Sequence, residues 1–358
     1  ATDATGRPVE RLVVVERMAG AGDTPGLLPV GQGLQLDFSH DATGNITGLH
    51  DSRYGASSYQ YDALQRLVSA VRPPGAPVPN ENYAYDPLGN RLSSHLSAAH
   101  AHDTANRLLN DDQYVYEYDD NGNRTARVRR ADMQREEYIH NAENRLVGYM
   151  MLSGSEMLRQ ARYVYDGLGR RVARLVDLGG DGAADECVYY GYSGENVIRE
   201  ISCSYAGSLE AFGPLGSFGV SNSASTLLFQ GPGIDQPIGF FRESGVGDVN
   251  NITGEDFYGM HTDHLGSVGV ITGYSGSVLV NYYYDSFGNI VKVTDAEGAE
   301  LPLSQSHASY PLGNRFTYTG REYDPETGLY FYRARYYDSE TGRFLEEDPV
   351  FSDNLHQY

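Results

Sequence analysis

One phrase returns along the chain and constrains the fold more than any other feature. It reads YQYDALQRLV at Tyr59 to Val68, YAYDPLGNRL at Tyr83 to Leu92, AHDTANRLL at Ala101 to Leu109, YEYDDNGNRT at Tyr116 to Thr125, YIHNAENRLV at Tyr138 to Val147 and YVYDGLGRRV at Tyr163 to Val172. A fainter copy, LDFSHDATGNI, spans Leu36 to Ile46. Aromatic-x-aromatic has period two, so Tyr83 and Tyr85, or Tyr163 and Tyr165, share one face of a strand. There they can stack on the next strand's pair. The Asp that follows, as in Asp86 and Asp166, can accept hydrogen bonds from the turn's own backbone. Gly89, Gly122 and Gly169 supply the positive φ that such turns require. Each copy is a β-hairpin, and Asn-Arg-aliphatic opens its outgoing strand.

Copies without the glycine (at Asp62, Asp103 and Asn141) alternate with copies that have it (at Asp86, Asp119 and Asp166), giving a two-hairpin unit of about forty residues. Such units bury their faces on their neighbours, so the sheet must be long, and a long twisted sheet either closes or exposes edges. The expected fold is all-β, a spiralling sheet forming a hollow shell or part of one. These repeats are too few to close alone around a sizeable lumen. Composition agrees: 29 Tyr, 42 Gly and no Trp among 358 residues describe many strands joined by many turns.

A formal net charge of -21 argues against nucleic acid as a partner, since phosphate binding needs clustered Lys and Arg. A basic partner suits it better. No apolar run approaches the roughly 20 residues of a membrane-spanning helix. The sequence opens at Ala1 without Met and without a basic-then-apolar signal, and it reads as a piece of a longer protein whose targeting signal lies elsewhere.

Four blocks of one continuous domain follow. Residues 1–35 hold one strand and a Gly/Pro loop (Gly20 to Gly33), the end of a preceding repeat. Residues 36–205 are regular repeat. Residues 206–259 loosen into a Gly/Ser-rich irregular insertion, and residues 260–358 return to strands. The two cysteines, Cys187 and Cys203, flank strand, Gly194-Glu-Asn196 turn and strand, which sets them opposite each other. They read either as a cross-strand disulfide or as two small apolar residues in a sheet.

Chemistry-bearing groups are few. His261, Asp263 and His264 have a composition that can bind metal, but a structural turn accounts for them as well. Asp177, Asp181, Gly182 and Asp185 faintly resemble a calcium loop, but Val188 stands where a bidentate Glu belongs, so a hairpin turn is the better reading. Asn45, Asn123 and Asn251 sit in glycosylation-type triplets, which matter only in a eukaryotic secretory setting. No triad, phosphate loop or zinc cluster is present in the sequence, and no cofactor or metal is expected.

The repeated phrase resembles the YD repeat of the Rhs family. LFQGPGIDQPIGFF (Leu228 to Phe241), HTDHLGSVGVIT (His261 to Thr272), YYYDSFGN (Tyr282 to Asn289) and FTYTGREYDPETGLYFYRARYYDSETGRFLEEDP (Phe316 to Pro349) resemble its C-terminal repeat-associated core. The resemblance implies a β-shell around a C-terminal toxin or effector domain, in a bacterial protein that is exported or displayed at the cell surface and relies on secretion or delivery machinery. Similar shells occur in insecticidal toxin complexes and teneurins. A cell-surface or filament-forming adhesin is the rival reading.

Rhs cores of this kind cut themselves just downstream through an aspartic-protease-like pair of acids. Carried over by the resemblance, one acid falls on Asp348 and an assisting arginine on Arg335. The second acid, in a further Asp-Pro-x-Gly-Leu, has no counterpart before Tyr358. One carboxylate cannot both activate water and protonate the leaving group, so this polypeptide is expected to be structural and not an enzyme. The simpler expectation for Arg335 and Asp348 is an ion pair over Tyr332, Tyr336 and Phe344, with the tyrosines of this stretch forming the last rungs of the sheet and its acids serving mainly in turns.

Overall fold

The computed structural model describes residues 10–13, 34–203, 209, 224–243, 256–304 and 311–349. Every named strand pairs antiparallel with its neighbour in sequence, and among the described residues there is no α-helix. A six-stranded sheet runs from Glu10–Val13 to Glu81–Asn82, and a two-stranded hairpin (Ala84–Tyr85, Arg91–Ser93) follows. A 16-stranded sheet then continues from Ala101–His102 to Ile290–Thr294. A last sheet of four short strands spans Glu322–Asp324 to Arg343–Phe344.

The repeat explains the regularity. In each copy the turn Asp accepts main-chain N–H groups on one oxygen and the side chain four residues on with the other. Asp86 takes Asn90 Nδ2 at 2.8 Å, Asp62 takes Arg66 Nε at 2.7 Å and Asp166 takes Arg170 Nε at 2.8 Å. The Arg66 amide and its neighbours hold the Asp62 carboxyl below its ordinary value. Gly89 takes φ 91°, and in copies without glycine the same left-handed position falls to Gln65 (62°), Asn106 (65°) and Asn144 (58°). A β-bulge precedes the turn, between Val164 and Tyr165 for example, so Tyr163 faces Arg174 and Tyr165 faces Arg171. Bulges repeated hairpin after hairpin bend the sheet in one direction.

The bend closes a ring. Laid flat, sixteen strands would span roughly 70 Å, yet the beginning and end of the chain touch. Arg53 Nη1 donates to Gly269 O at 2.9 Å, Ser286 N to Glu81 Oε2 at 2.9 Å, and His95 lies 3.4 Å from Asp285. Leu34, Leu36 and Phe38 pack with Val270. Where the two ends overlap they leave a cavity of about 370 Å³, lined in part by Tyr54, Tyr59, Tyr61, Tyr283, Tyr284 and Tyr318.

Two expectations need correction. The irregular insertion expected over 206–259 contains strands Ala224–Gln230 and Pro237–Glu243, which continue the long sheet in register with Asn196–Cys203 and Phe257–Thr262. Gly-rich turns such as Gly231 to Gly233 hid a hairpin of ordinary length. Tyr330, Tyr332, Tyr336 and Tyr337 are not the last rungs of the sheet. Tyr330, Tyr336 and Tyr337 belong to the separate four-stranded sheet, and Tyr332 lies between two of its strands. This sheet fills the ring and buries Tyr330, Phe331, Tyr336 and Leu345 against it.

Candidate functional site

The C-terminal segment is held by groups that the repeat places periodically. Five residues past the turn Asp, glycine copies carry Arg91, Arg124 and Arg171, whereas the others carry Leu67, Leu108 and Leu146. The three arginines are buried and all reach the C-terminal segment. Arg91 donates to the Thr341 carbonyl, Arg124 Nη1 to Asp338 Oδ2 at 2.6 Å, and Arg171 to Asp324 and Glu322. Strands of three successive glycine-bearing repeats therefore grip one segment, residues 322–341.

The densest part joins Arg171, Arg174 and Arg315 to Glu200, Glu322, Asp324 and Glu326. Burial of such charges is tolerable only because each carboxylate meets a guanidinium. Burial alone would push the Asp324 carboxyl up, but Arg171, Arg174 and Arg315 outweigh it and hold it below the usual carboxylate range. Carboxylates outnumber guanidiniums here, since Glu186 also lies 3.4 Å from Arg174, and the mismatch falls on Glu326. Burial and the neighbouring Asp324 push its carboxyl up in spite of Arg174.

Arg335 and Asp348 meet at the open margin of the C-terminal sheet. Arg335 Nη2 donates to Asp348 Oδ2 at 3.0 Å, and the guanidinium lies 3.8 Å from the Phe344 ring centre. Tyr332 packs edge-on against Phe344 at 5.5 Å. The Asp348 side chain keeps 35% of its exposure, so the carboxylate is open to water or to a further chain segment. Two residues earlier Glu346 is buried; it accepts the Tyr336 amide at 2.9 Å and lies 3.2 Å from His140 Nε2.

The other candidates occupy turns and strands. Asp263 accepts the amides of Leu265 and Ser267, His261 Nε2 lies 2.9 Å from Thr272 Oγ1, and His264 packs on Phe38. Asp177 accepts the amides of Gly179, Gly180 and Gly182 within a hairpin connection. Asn45 and Asn123 bond their own turn aspartates, and Asn251 lies outside the described residues. Cys187 and Cys203 are direct partners across adjacent strands. Among the described residues no three His, Cys, Asp or Glu side chains assemble as a metal site would require.

Sequence reasoning missed His140, Glu346 and the pairing of the plug acids with repeat arginines. The Arg/Leu alternation after the turn was available as a signal. So was the histidine standing where most copies have their second tyrosine.

This architecture, a ring of aromatic-Asp hairpins closed on an acid-rich C-terminal segment, has known counterparts. The chain matches the teneurin YD-shell family model over residues 31–182 and 249–358, well over half of its length, and it belongs to that family. It is 25% identical over 334 residues to the double-stranded DNA deaminase toxin A of Burkholderia cenocepacia, covering 92% of this chain and 22% of that protein. It is also 25% identical over 199 residues to the toxin protein Tse5 of Pseudomonas aeruginosa, covering 46% of this chain and 14% of that one. The tRNA3(Ser)-specific nuclease WapA of Bacillus spizizenii is 25% identical over 81% of this chain, which spans 10% of that protein. The chain thus spans about a fifth or less of the relatives it matches. Among solved structures, the TcdB2-TccC3-TEV crystal structure aligns with all of this chain and 19% of its own, at 18% identity and a TM-score of 0.45. No helix among the described residues is long and apolar enough to cross a membrane.

Proposed function

We propose that this chain is a wall segment of an Rhs-type shell that encloses and helps deliver a C-terminal effector domain of a longer, exported bacterial protein. The observation that carries this reading is the ionic seating of residues 322–341 on the repeat arginines, which ties the end of the described chain to the interior of the ring. Two of the relatives are named as toxins, and an effector fused behind Pro349 would start from inside the wall. In the longer native protein, the domain that follows should resist protease as long as the wall is folded. Cleavage at the rate of the isolated domain would sink the reading.

The same reading makes Arg335 and Asp348 half of a self-cleavage site. Asp348 would supply one carboxylate, Arg335 would hold it, and a second acid from further along the native chain would complete the general acid and base pair. Asp348→Asn in the longer native chain should abolish cleavage. A variant that still cuts removes Asp348 from the mechanism. Export also places Cys187 and Cys203 in an oxidising setting, where their direct pairing suits a cross-strand disulfide.

A further inference from the structure

A ladder of tyrosine hydroxyls joins each hairpin to the one before it. The second aromatic residue of a copy donates to the main-chain carbonyl five residues past the previous copy's turn residue. Tyr61 reaches Ile46 O, Tyr85 Leu67 O, Tyr118 Leu108 O, Tyr165 Leu146 O, Tyr192 Arg171 O and Tyr284 Val268 O, all between 2.7 and 2.9 Å. The rung is reinforced when the residue after the left-handed position is arginine, as Arg66 lies over Tyr85 and Arg107 over Tyr118.

Two rungs are missing inside the repeat, at His102 and His140, and the last described strand, Arg343–Phe344, with the two residues after it runs past both. Beside His102, Arg343 Nη1 donates to Asn106 O at 2.7 Å and Nη2 to Asn90 Oδ1 at 2.8 Å. Beside His140, the carbonyl of Leu345 accepts the Arg124 amide at 2.8 Å, and Glu346 meets the imidazole. An imidazole is too short to make the tyrosine contact: at His102 the carbonyl concerned, Arg91 O, lies 3.1 Å from His100 Nδ1 instead, and at His140 the neighbouring space is taken by Leu345 and Glu346. The Glu346 carboxylate then does two things: one oxygen faces His140 Nε2 and the other accepts the Tyr336 amide. Tyr336 follows Arg335, and Glu346 lies two residues before Asp348, so one buried carboxylate ties together the two arms of chain that carry the Arg335–Asp348 pair.

We infer that His140 is a positioning residue for Asp348, acting through Glu346, and that the gaps at His102 and His140 are the docking track for residues 343–348. Nδ1 of His140 is buried with no hydrogen-bond partner, so the hydrogen bonding of the ring rests on Nε2 and Glu346. The inference about Asp348 rests on the cleavage reading, whereas the docking track does not.

His140→Phe keeps the ring and removes the donor, and His140→Gln restores an amide donor. Amide hydrogen exchange on the full chain should be about tenfold faster at Tyr336 and Leu345 in the Phe variant, with rates near wild type in the Gln variant. In the longer native protein, His140→Phe should slow cleavage by about the same factor and His140→Gln should recover it. Asp348→Asn should stop cleavage while leaving both amides at wild-type rates. Unchanged exchange at Tyr336 and Leu345 in His140→Phe overturns the docking track. Faster exchange with unchanged cleavage overturns the positioning role. Continued cutting by Asp348→Asn instead overturns the cleavage reading and leaves the track standing.

Discussion

Arg171 and Asp324, 153 positions apart in the chain, form an ion pair in which neither side chain is exposed to solvent. Arg171 opens the outgoing strand of a repeat hairpin, and Asp324 belongs to the segment that fills the ring. Their contact, with those of Arg124 and Asp338, makes closure of the wall and docking of the C-terminal sheet a single event. Arg171→Met should lower unfolding stability by about 3–5 kcal/mol, because it strands buried carboxylates without a counter-charge. Urea denaturation checks this. A loss under 1 kcal/mol would show that water reaches the pair.

Acid should weaken the fold through half-buried histidines. Burial brings His102, aided by the charge of Arg343, and His261 down to about 4. An unfolded chain protonates them near the ordinary 6.5, so it binds more protons between pH 6.5 and 4. Their stabilisation is complete above pH 6.5 and is lost as pH falls through that window. Glu326, pushed up by burial, works in the opposite sense, so the informative quantity is a difference. His261→Gln should lessen the drop in stability between pH 7 and 4.5 by about 1–2 kcal/mol relative to wild type. An identical pH slope in the variant would mean that His261 titrates normally in the fold.

The left-handed turn position separates backbone strain from packing. Gln65 is exposed with φ 62°, so Gln65→Gly should raise stability by about 0.5–1 kcal/mol. At Gly288, φ 96°, a Cβ would run into the Tyr318 ring, and Gly288→Ala should cost about 2 kcal/mol or more. Thermal melting of the two variants should shift in opposite directions.

Removing one rung of the tyrosine ladder should act locally. Tyr165→Phe loses the donation to Leu146 O at 2.7 Å and should cost about 1 kcal/mol. Exchange should quicken between the hairpins on either side.

For the cysteines, thiol alkylation of the folded, oxidised protein followed by mass spectrometry should find neither Cys187 nor Cys203 modified until a reductant is added. Ready modification of both in unreduced, denatured protein would assign them as thiols.

The hairpin phrase determined the local structure without help. Period-two aromatics, an Asp able to accept turn amides and a glycine for the left-handed residue act within ten residues of chain, so the turns at Asp62, Asp86, Asp119 and Asp166 could be read directly from the sequence. The alternation of Arg and Leu after the turn was equally visible, but its purpose was not. Arg124 and Arg171 look like surface residues of a strand until the carboxylates of Asp338 and Asp324 arrive from more than 150 residues away. The acids of the C-terminal stretch looked like turn formers for the same reason. Hydrogen bonds within a turn depend on neighbours in sequence, so sequence determines them. Burial of a charge depends on which partner the closed ring delivers, and only the tertiary structure decides that. The same holds for His140: in the sequence it is a substitution in a repeat, and in the fold it is where Glu346, from the far end of the described chain, is held.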